Sequence, residues 1–260
     1  MSALPSSGTP LGGLDRRIQA YLHAHASRAP DHERFGVFLA SFDRDSDNPY
    51  LSYAIPDDAS APSTADIGAL VAGFSRWRRR ARLEYIANAA PCVEAALIAH
   101  GFAVEKRYPI LVCTPSQLKG RRTADGYTLE LARSDDDIVA AAAALADAFG
   151  ESVPRAEPLI RMTAQGGVLI VAQHIASGMV VGAGIATPPH DGVSEVAGIG
   201  VRAAFRNQGV AGALTSAITR HAFARGVTLA WLTPGDDGPE RVYARAGFAR
   251  ASEQLHISLS

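Results

Sequence analysis

The sequence predicts an α/β fold built on a mixed (α+β) sheet, and three observations carry that prediction. Short runs rich in Val, Ile and Ala alternate with longer segments of helical apolar spacing along 260 residues of 47% hydrophobic content, a pattern that strands and helices share when they enclose a common core. A strand at 193–201, a turn at 206–209, a helix to Arg225 and a strand at 227–233 follow in order. Two apolar strands joined by one helix form a parallel pair with a right-handed crossover. The segments 168–173 and 179–187 read as two buried strands around a hairpin turn, which adds antiparallel pairing. The run 168–186 is apolar for almost the length of a membrane span, but Gln173, His174 and Ser177-Gly178 break its middle.

The elements follow in chain order. Residues 1–13 are rich in Gly, Ser and Pro and are expected to be disordered. A helix is expected over 14–29, strands at 35–42 and 50–55, and a loop at 57–64 whose Ser63 or Thr64 caps a helix over 66–79. A strand at 82–86 precedes a helix opened by Pro91 and closed at Gly101-Phe102, and 104–112 is a further strand. The polar, basic, turn-rich stretch 114–126 divides the chain into halves, with a linker at 116–126 between modules at 14–115 and 127–260. In the second half 127–132 is a strand, and a helix starts at Ser134 with Asp135, Asp136 and Asp137 in its first turn, where carboxylates oppose the positive end of the helix dipole. In the later helix Val210, Leu214, Ile218 and Ala222 recur four apart and face the sheet, and Gly226 follows as its terminator.

Composition narrows the function. The formal net charge is −1 with a pI of about 6.7, so no global field recruits nucleic acid or an anionic membrane. Two cysteines, Cys92 and Cys113, provide neither a disulfide framework nor paired metal-ligand spacing, and both read as core thiols of a reducing compartment. The first residues lack the charged and apolar regions of a signal peptide, so the cytoplasm is the expected location.

The turn at 206–209 carries the chemistry. It lies at a strand's carboxyl end and a helix's N-terminus, where open α/β sheets place ligands. The first amides of a helix lack intrahelical partners and sit at the positive end of its dipole. Gly209, Ala211 and Gly212 add little bulk, and Arg206 adds a planar cationic fork, so a pyrophosphate suits the site. Neither a nucleoside-triphosphate loop nor a dinucleotide fingerprint is present in the sequence.

Arg206-Asn207-Gln208-Gly209-Val210-Ala211 matches the Arg/Gln-x-x-Gly-x-Gly/Ala loop of the GNAT superfamily of acyl-CoA N-acyltransferases, and Tyr243-Ala244-Arg245-Ala246-Gly247-Phe248 resembles the Tyr-x-x-x-Gly-Phe that ends the family's next helix. The resemblance covers roughly 127–260 and implies a GNAT-like fold with acetyl-CoA as cosubstrate and no metal. By position it implies that backbone groups of Ile199, Gly200 and Val201 hold the pantetheine arm. Amides from Arg206 through Asn207, Gln208, Gly209, Val210, Ala211 and Gly212 would cradle the pyrophosphate, and Tyr243 would lie beside the thioester sulfur as general acid. A strand amide near Ile199 would stabilise the oxyanion. Glu195, on the strand entering the loop, is the candidate base, placed by period-two alternation on the same face as Ala197, Ile199 and Val201. His190 is a weaker alternative, and His174 and His221 have no ligand-like partner. Many family members carry an asparagine in the connection before the tyrosine helix; 233–238 here reads Thr-Pro-Gly-Asp-Asp-Gly, so that contact does not transfer.

The first half echoes the second. The order of strand 82–86, helix from Pro91, Gly101-Phe102 and strand repeats that of strand 227–233, helix from Pro239, Gly247-Phe248 and strand. Leu97 stands where the second half has Tyr243, and no phosphate loop precedes the helix from Asp66. The chain is therefore expected to hold two tandem modules, the N-terminal one degenerate, with a single cofactor site. Arg76-Trp77-Arg78-Arg79-Arg80 admits a nucleic-acid reading, but it fits a helix C-terminus whose cations complement the dipole. The expected activity is acetyl transfer to a small-molecule or peptide amine by a monomer or homodimer, without nucleic-acid or membrane partners. The alternative is a non-catalytic acyl-CoA-binding module.

Overall fold

The computed structural model describes residues 11–46, 48–121, 125–235 and 240–260. The expected disorder over residues 1–10 and the Asp236 to Gly238 part of the second connection lie outside these residues. Residues 11–13, expected to be disordered as well, already belong to the first helix, α1 (Leu11–Ser27). It is followed by β1 (Asp31–Phe35), β2 (Phe38–Phe42), β3 (Tyr53–Pro56), α2 (Thr64–Arg76), β4 (Arg82–Ile86), α3 (Val93–Ile98) and β5 (Phe102–Cys113). The chain continues through β6 (Tyr127–Leu131), α4 (Asp135–Phe149), α5 (Ala156–Ala164), β7 (Val168–His174), β8 (Met179–Ala186) and β9 (Val193–Val201). It ends with α6 (Val210–Ala224), β10 (Leu229–Leu232), α7 (Glu240–Ala246) and β11 (Ala249–Leu259).

Two compact units result, one from 1–109 with 251–260 and one from 110–250. The break falls inside β5, and the last strand joins the first unit, where Gln254 to Ser258 pair with Ile86 to Arg82 of β4. The first unit runs β1-β2-β3-β4-β11-β5. The expected strand at 35–42 is in fact a hairpin, since Phe35 pairs with Phe38 and Gly36 takes a φ of 55° at the turn. Strands β3 and β4 are parallel, joined by α2.

The second unit runs β5-β10-β9-β8-β7-β6. Strands β6 to β9 form an antiparallel meander, and β9 pairs in parallel with β10 across α6. The apolar run 168–186 is thus the β7–β8 hairpin, and among the described residues no helix is long and apolar enough to cross a membrane. Helix α6 buries Val210, Leu214, Ile218 and Ala222 as expected, against Val196, Val201 and Ile170 of the sheet. Helix α4 packs its Ile138, Ala141 and Ala142 among Leu169, Val171 and Ala183. Its start is the expected one: Ser134 accepts from the Asp137 amide while Asp137 accepts from the Ser134 amide.

Each half of the sequence shows the same local order: a parallel strand pair bridged by a helix, then a short helix, then a strand opened by a glycine of positive φ, Gly101 at 85° and Gly247 at 104°. The expected pair of core thiols is half right. Cys113 is buried, which pushes its thiol up to about 11, but Cys92 is exposed because Val93 and Leu97 supply the inward face of α3. In the arginine run, Trp77 stacks on Phe42 with ring centroids 4.5 Å apart. Arg76 donates to Glu33, Arg79 to the Asp43 and Ser46 carbonyls, and Arg80 to Glu105, so these cations are engaged by their own unit.

Candidate functional site

The site is built where β9 and β10 part. Their parallel pairing runs from Leu229↔Val193 to Trp231↔Glu195 and stops there, while β9 continues to Val201. Beyond Glu195 the strand keeps β8 on one edge and has no ladder partner on the other among the described residues. The register with β8 slips in the same stretch: Ile185 faces Ala197, whereas Ala183 faces Gly200, and Gly198 takes a φ of 57°. Gly184 of β8 therefore opposes two residues of β9, Gly198 and Ile199, a bulge.

The bulge corrects the expected facing of Glu195. Cross-strand partners share a face, so Ala197 and Gly200 lie together, and Glu195 lies with Ala197 by alternation. Ile199 and Val201 turn to the opposite face, where a Cβ on Gly184 would meet Ile199 Cγ1 at 3.0 Å and one on Gly182 would meet Val201 Cγ2 at 3.2 Å. The sequence alternation held only up to Gly198. A Cβ on Gly200 would stand 2.9 to 3.2 Å from Leu145, Ala148 and Phe149, so α4 seats directly on this strand end. The Glu195 backbone is fixed by Thr187, whose Oγ1 accepts from its amide at 3.0 Å and whose own amide donates to its carbonyl at 2.9 Å.

After β9 a short 3-10 turn, Ala203–Phe205, leads to the loop, where Asn207 and Gly209 adopt φ values of 63° and 80°. Gly209 is the N-cap of α6 and offers no side chain to it, and the first bond of the helix runs from the Ala213 amide to the Gly209 carbonyl. Among the described residues the amides of Val210, Ala211 and Gly212 therefore have no acceptor, and the helix dipole adds to their positive potential. Arg206 turns back on the scaffold: Nε donates to the Val201 carbonyl at 3.0 Å and Nη2 to the Ala148 carbonyl at 2.7 Å. Its charge is thereby held in place rather than left on a free arm. Gln208 is tied outward, accepting from the Tyr127 hydroxyl.

A cavity of about 520 Å³ opens at this point. It brings together Ile199, Gly200 and Val201 with Arg206, Asn207, Gly209, Val210, Ala211 and Gly212. Three expected residues do not line it: Gln208, Glu195 and Tyr243. Sequence reasoning missed Ala148, Phe149, Phe205, Arg121, Val242 and Arg245, which complete the wall. Arg121 lies in the basic, turn-rich stretch read as a linker, and Val242 and Arg245 lie in and beside the Tyr-x-x-x-Gly-Phe segment, but neither pattern marks them as cavity residues. The described lining holds three arginines and no carboxylate, so an anionic guest meets donors and positive charge throughout.

Helix α7 presents Val242 and Arg245, three apart, to the cavity. Tyr243, one position round, is half-buried against the α6 core, and this burial holds its phenol above the usual tyrosine range. The Phe248 amide donates to the Tyr243 carbonyl at 3.1 Å and fixes the helix end. His190 faces only Asp191 at 3.5 Å, His174 bonds Ser177, and burial lowers the His221 pKa. No cluster of three metal-ligating side chains occurs among the described residues.

The corresponding helix of the first unit, α2, is closed to an anion. Ser63 and Asp66 form a reciprocal capping box, and the Ser63 hydroxyl and amide hold the Asp66 carboxyl below its usual range. The first turn of α2 thus already carries a carboxylate, bonded to the Ser63 amide and hydroxyl, where α6 has Gly212.

A parallel fork with an amide-lined, cationic cavity at a helix start has the donors and positive potential that suit an anionic group. Residues 143–248 match the Acetyltransferase (GNAT) family. A GCN5-related N-acetyltransferase from Kribbella flavida is 27% identical, with a TM-score of 0.80 over 94% of this chain and 95% of that one. A second, from Sphaerobacter thermophilus, is 20% identical with a TM-score of 0.62, over 85% of this chain and 76% of that one. A tandem GNAT protein from the clavulanic acid biosynthesis pathway is 12% identical with a TM-score of 0.58, over 99% and 90% respectively. The last two show the fold alone. Comparison with curated protein sequences gives no significant match.

Proposed function

We propose that this chain transfers an acetyl group from acetyl-CoA directly to a primary amine of a small molecule or peptide. The observation that carries the reading is the open amide row of α6 beside the edge of β9 beyond Glu195, both facing one cavity whose described lining holds no carboxylate. In this reading the amides of Val210 to Gly212 hold the diphosphate and Arg206 fixes a positive charge behind it. The edge of Ile199 to Val201, where the Val201 carbonyl already accepts from Arg206, receives the amide-bearing arm as a β-strand would. Glu195, at the fork where β9 and β10 part, takes a proton from the acceptor ammonium, directly or through water, and the free amine so formed attacks the thioester carbonyl. Tyr243 returns a proton to the departing thiolate. The acyl group passes from sulfur to nitrogen in one step, so neither cysteine is needed as a nucleophile.

The first unit reads as a degenerate GNAT-like module. It repeats the strand and helix order of the second, but its α2 start is occupied by Asp66 and Leu97 replaces the tyrosine. One acetyl-CoA per chain follows. Incubating the protein with acetyl-CoA and a panel of primary amines, with mass spectrometry of the products, tests the activity. An N-acetylated product and free CoA in equal amounts are expected with at least one amine. Acetyl-CoA binding without release of CoA to any amine would instead support a binding module.

A further inference from the structure

The cavity has two ends with different chemistry. At the β9 end, Gly200 lies against Leu145, Ala148 and Phe149 of α4. At the other, a Cβ on Gly212 would stand 3.3 Å from Arg121 Nε and 3.4 Å from Val242 Cγ1. Arg121 reaches this end from the segment between β5 and β6, outside the 143–248 family match, and Arg245 of α7 lines the same cavity. Arg206 differs from both, being held by two carbonyls. Among the described residues Arg121 and Arg245 make no hydrogen bond or ion pair, and no carboxylate shares the wall with them.

Two guanidinium groups beyond the amide row are more positive charge than one diphosphate requires. The open amides share one cavity with these arginines and with the strand edge that receives the thioester arm, and their Gly212 end lies against Arg121. In a coenzyme A thioester the covalent order is acyl group, pantetheine, diphosphate, 3′-phosphorylated ribose and adenine. With the arm at β9 and the diphosphate at α6, the group that extends toward Arg121 and Arg245 is the 3′-phosphate monoester, a dianion at neutral pH whose oxygens match the guanidinium fork.

We propose that Arg121 and Arg245 form a distal phosphate subsite that reads the ribose 3′-phosphate, so that the chain selects free coenzyme A thioesters over thioesters on a 4′-phosphopantetheine arm, which lacks that group. This inference rests on the acetyl-CoA reading above. It adds a specificity determinant from a segment that the family match does not cover.

Calorimetric titration with coenzyme A and with 3′-dephospho-coenzyme A tests it. The parent protein is expected to bind coenzyme A at least about 10-fold more tightly, in line with the strength of charge-assisted pairs. The double variant Arg121→Gln/Arg245→Gln is expected to bind coenzyme A only about as tightly as dephospho-coenzyme A, whose own affinity changes less than about 2-fold. Arg121→Lys/Arg245→Lys, which keeps the charge, is expected to retain part of the preference. Equal affinity of the parent for both ligands overturns the proposal while leaving the acetyl-CoA reading intact, and this comparison needs no variant to fold. Equal weakening of both ligands in the glutamine variant also overturns it, because the arginines would then serve the diphosphate. Binding of neither ligand overturns both readings.

Discussion

Gly212→Glu is expected to weaken acetyl-CoA binding by a factor on the order of 10³. Position 212 is the third residue of α6, where a carboxylate suits the helix and can turn back on the amides that the native loop leaves open. The space is tight but adaptable, since the nearest atoms are the flexible Arg121 side chain at 3.3 Å and Val242 Cγ1 at 3.4 Å. Two lost charge-assisted hydrogen bonds, each about 1.5–3 kcal/mol, together with repulsion of the diphosphate, account for about 4 kcal/mol. The substitution gives α6 what α2 already has in Asp66. Helicity by circular dichroism should be unchanged while calorimetric binding is lost. Folded variant protein with affinity within a factor of three of the parent would show that the guest does not use these amides.

Tyr243→Phe and Glu195→Gln are each expected to lower kcat by a factor of about 10² to 10⁴ while acetyl-CoA affinity stays within about twofold. Burial raises the Tyr243 pKa above its ordinary 10.0, so the phenol keeps its proton through neutral and moderately alkaline pH. The alkaline loss of rate that reports this proton should therefore lie above pH 10.0 in the parent and vanish in Tyr243→Phe. Glu195→Gln should behave oppositely. Without a base the rate follows the fraction of amine already deprotonated, which rises as pH approaches about 10.4 for a lysine-like acceptor. Stopped pH profiles of CoA release check both. A Glu195→Gln enzyme equally impaired at pH 7 and pH 9.5 would contradict the role of base.

Where residues speak through their own neighbours, the sequence was readable. Strands 82–86 and 193–201 emerge with the expected bounds, and Val210, Leu214, Ile218 and Ala222 are buried as their spacing requires. The glycine-bearing loop was equally plain, because open amides need small residues and a helix start. Three features stayed hidden. Strand β1 reads Asp-His-Glu-Arg-Phe, a charged edge strand whose partner is fixed by pairing rather than by apolar alternation. The bulge at Gly198 depends on the register with β8 and reverses which side chains share a face with Glu195. Arg121 and Arg245 come from segments far apart in sequence that meet only through the fold. The pairing of β11 with β4, across more than half the chain, is likewise invisible to local pattern.

The structure of the acetyl-CoA complex tests the central claim most directly. The account predicts one ligand per chain, its diphosphate oxygens about 2.7–3.2 Å from the amide nitrogens of Val210, Ala211 and Gly212 and its thioester directed toward the fork at Glu195. A diphosphate seated elsewhere, or at the start of α2, would contradict it.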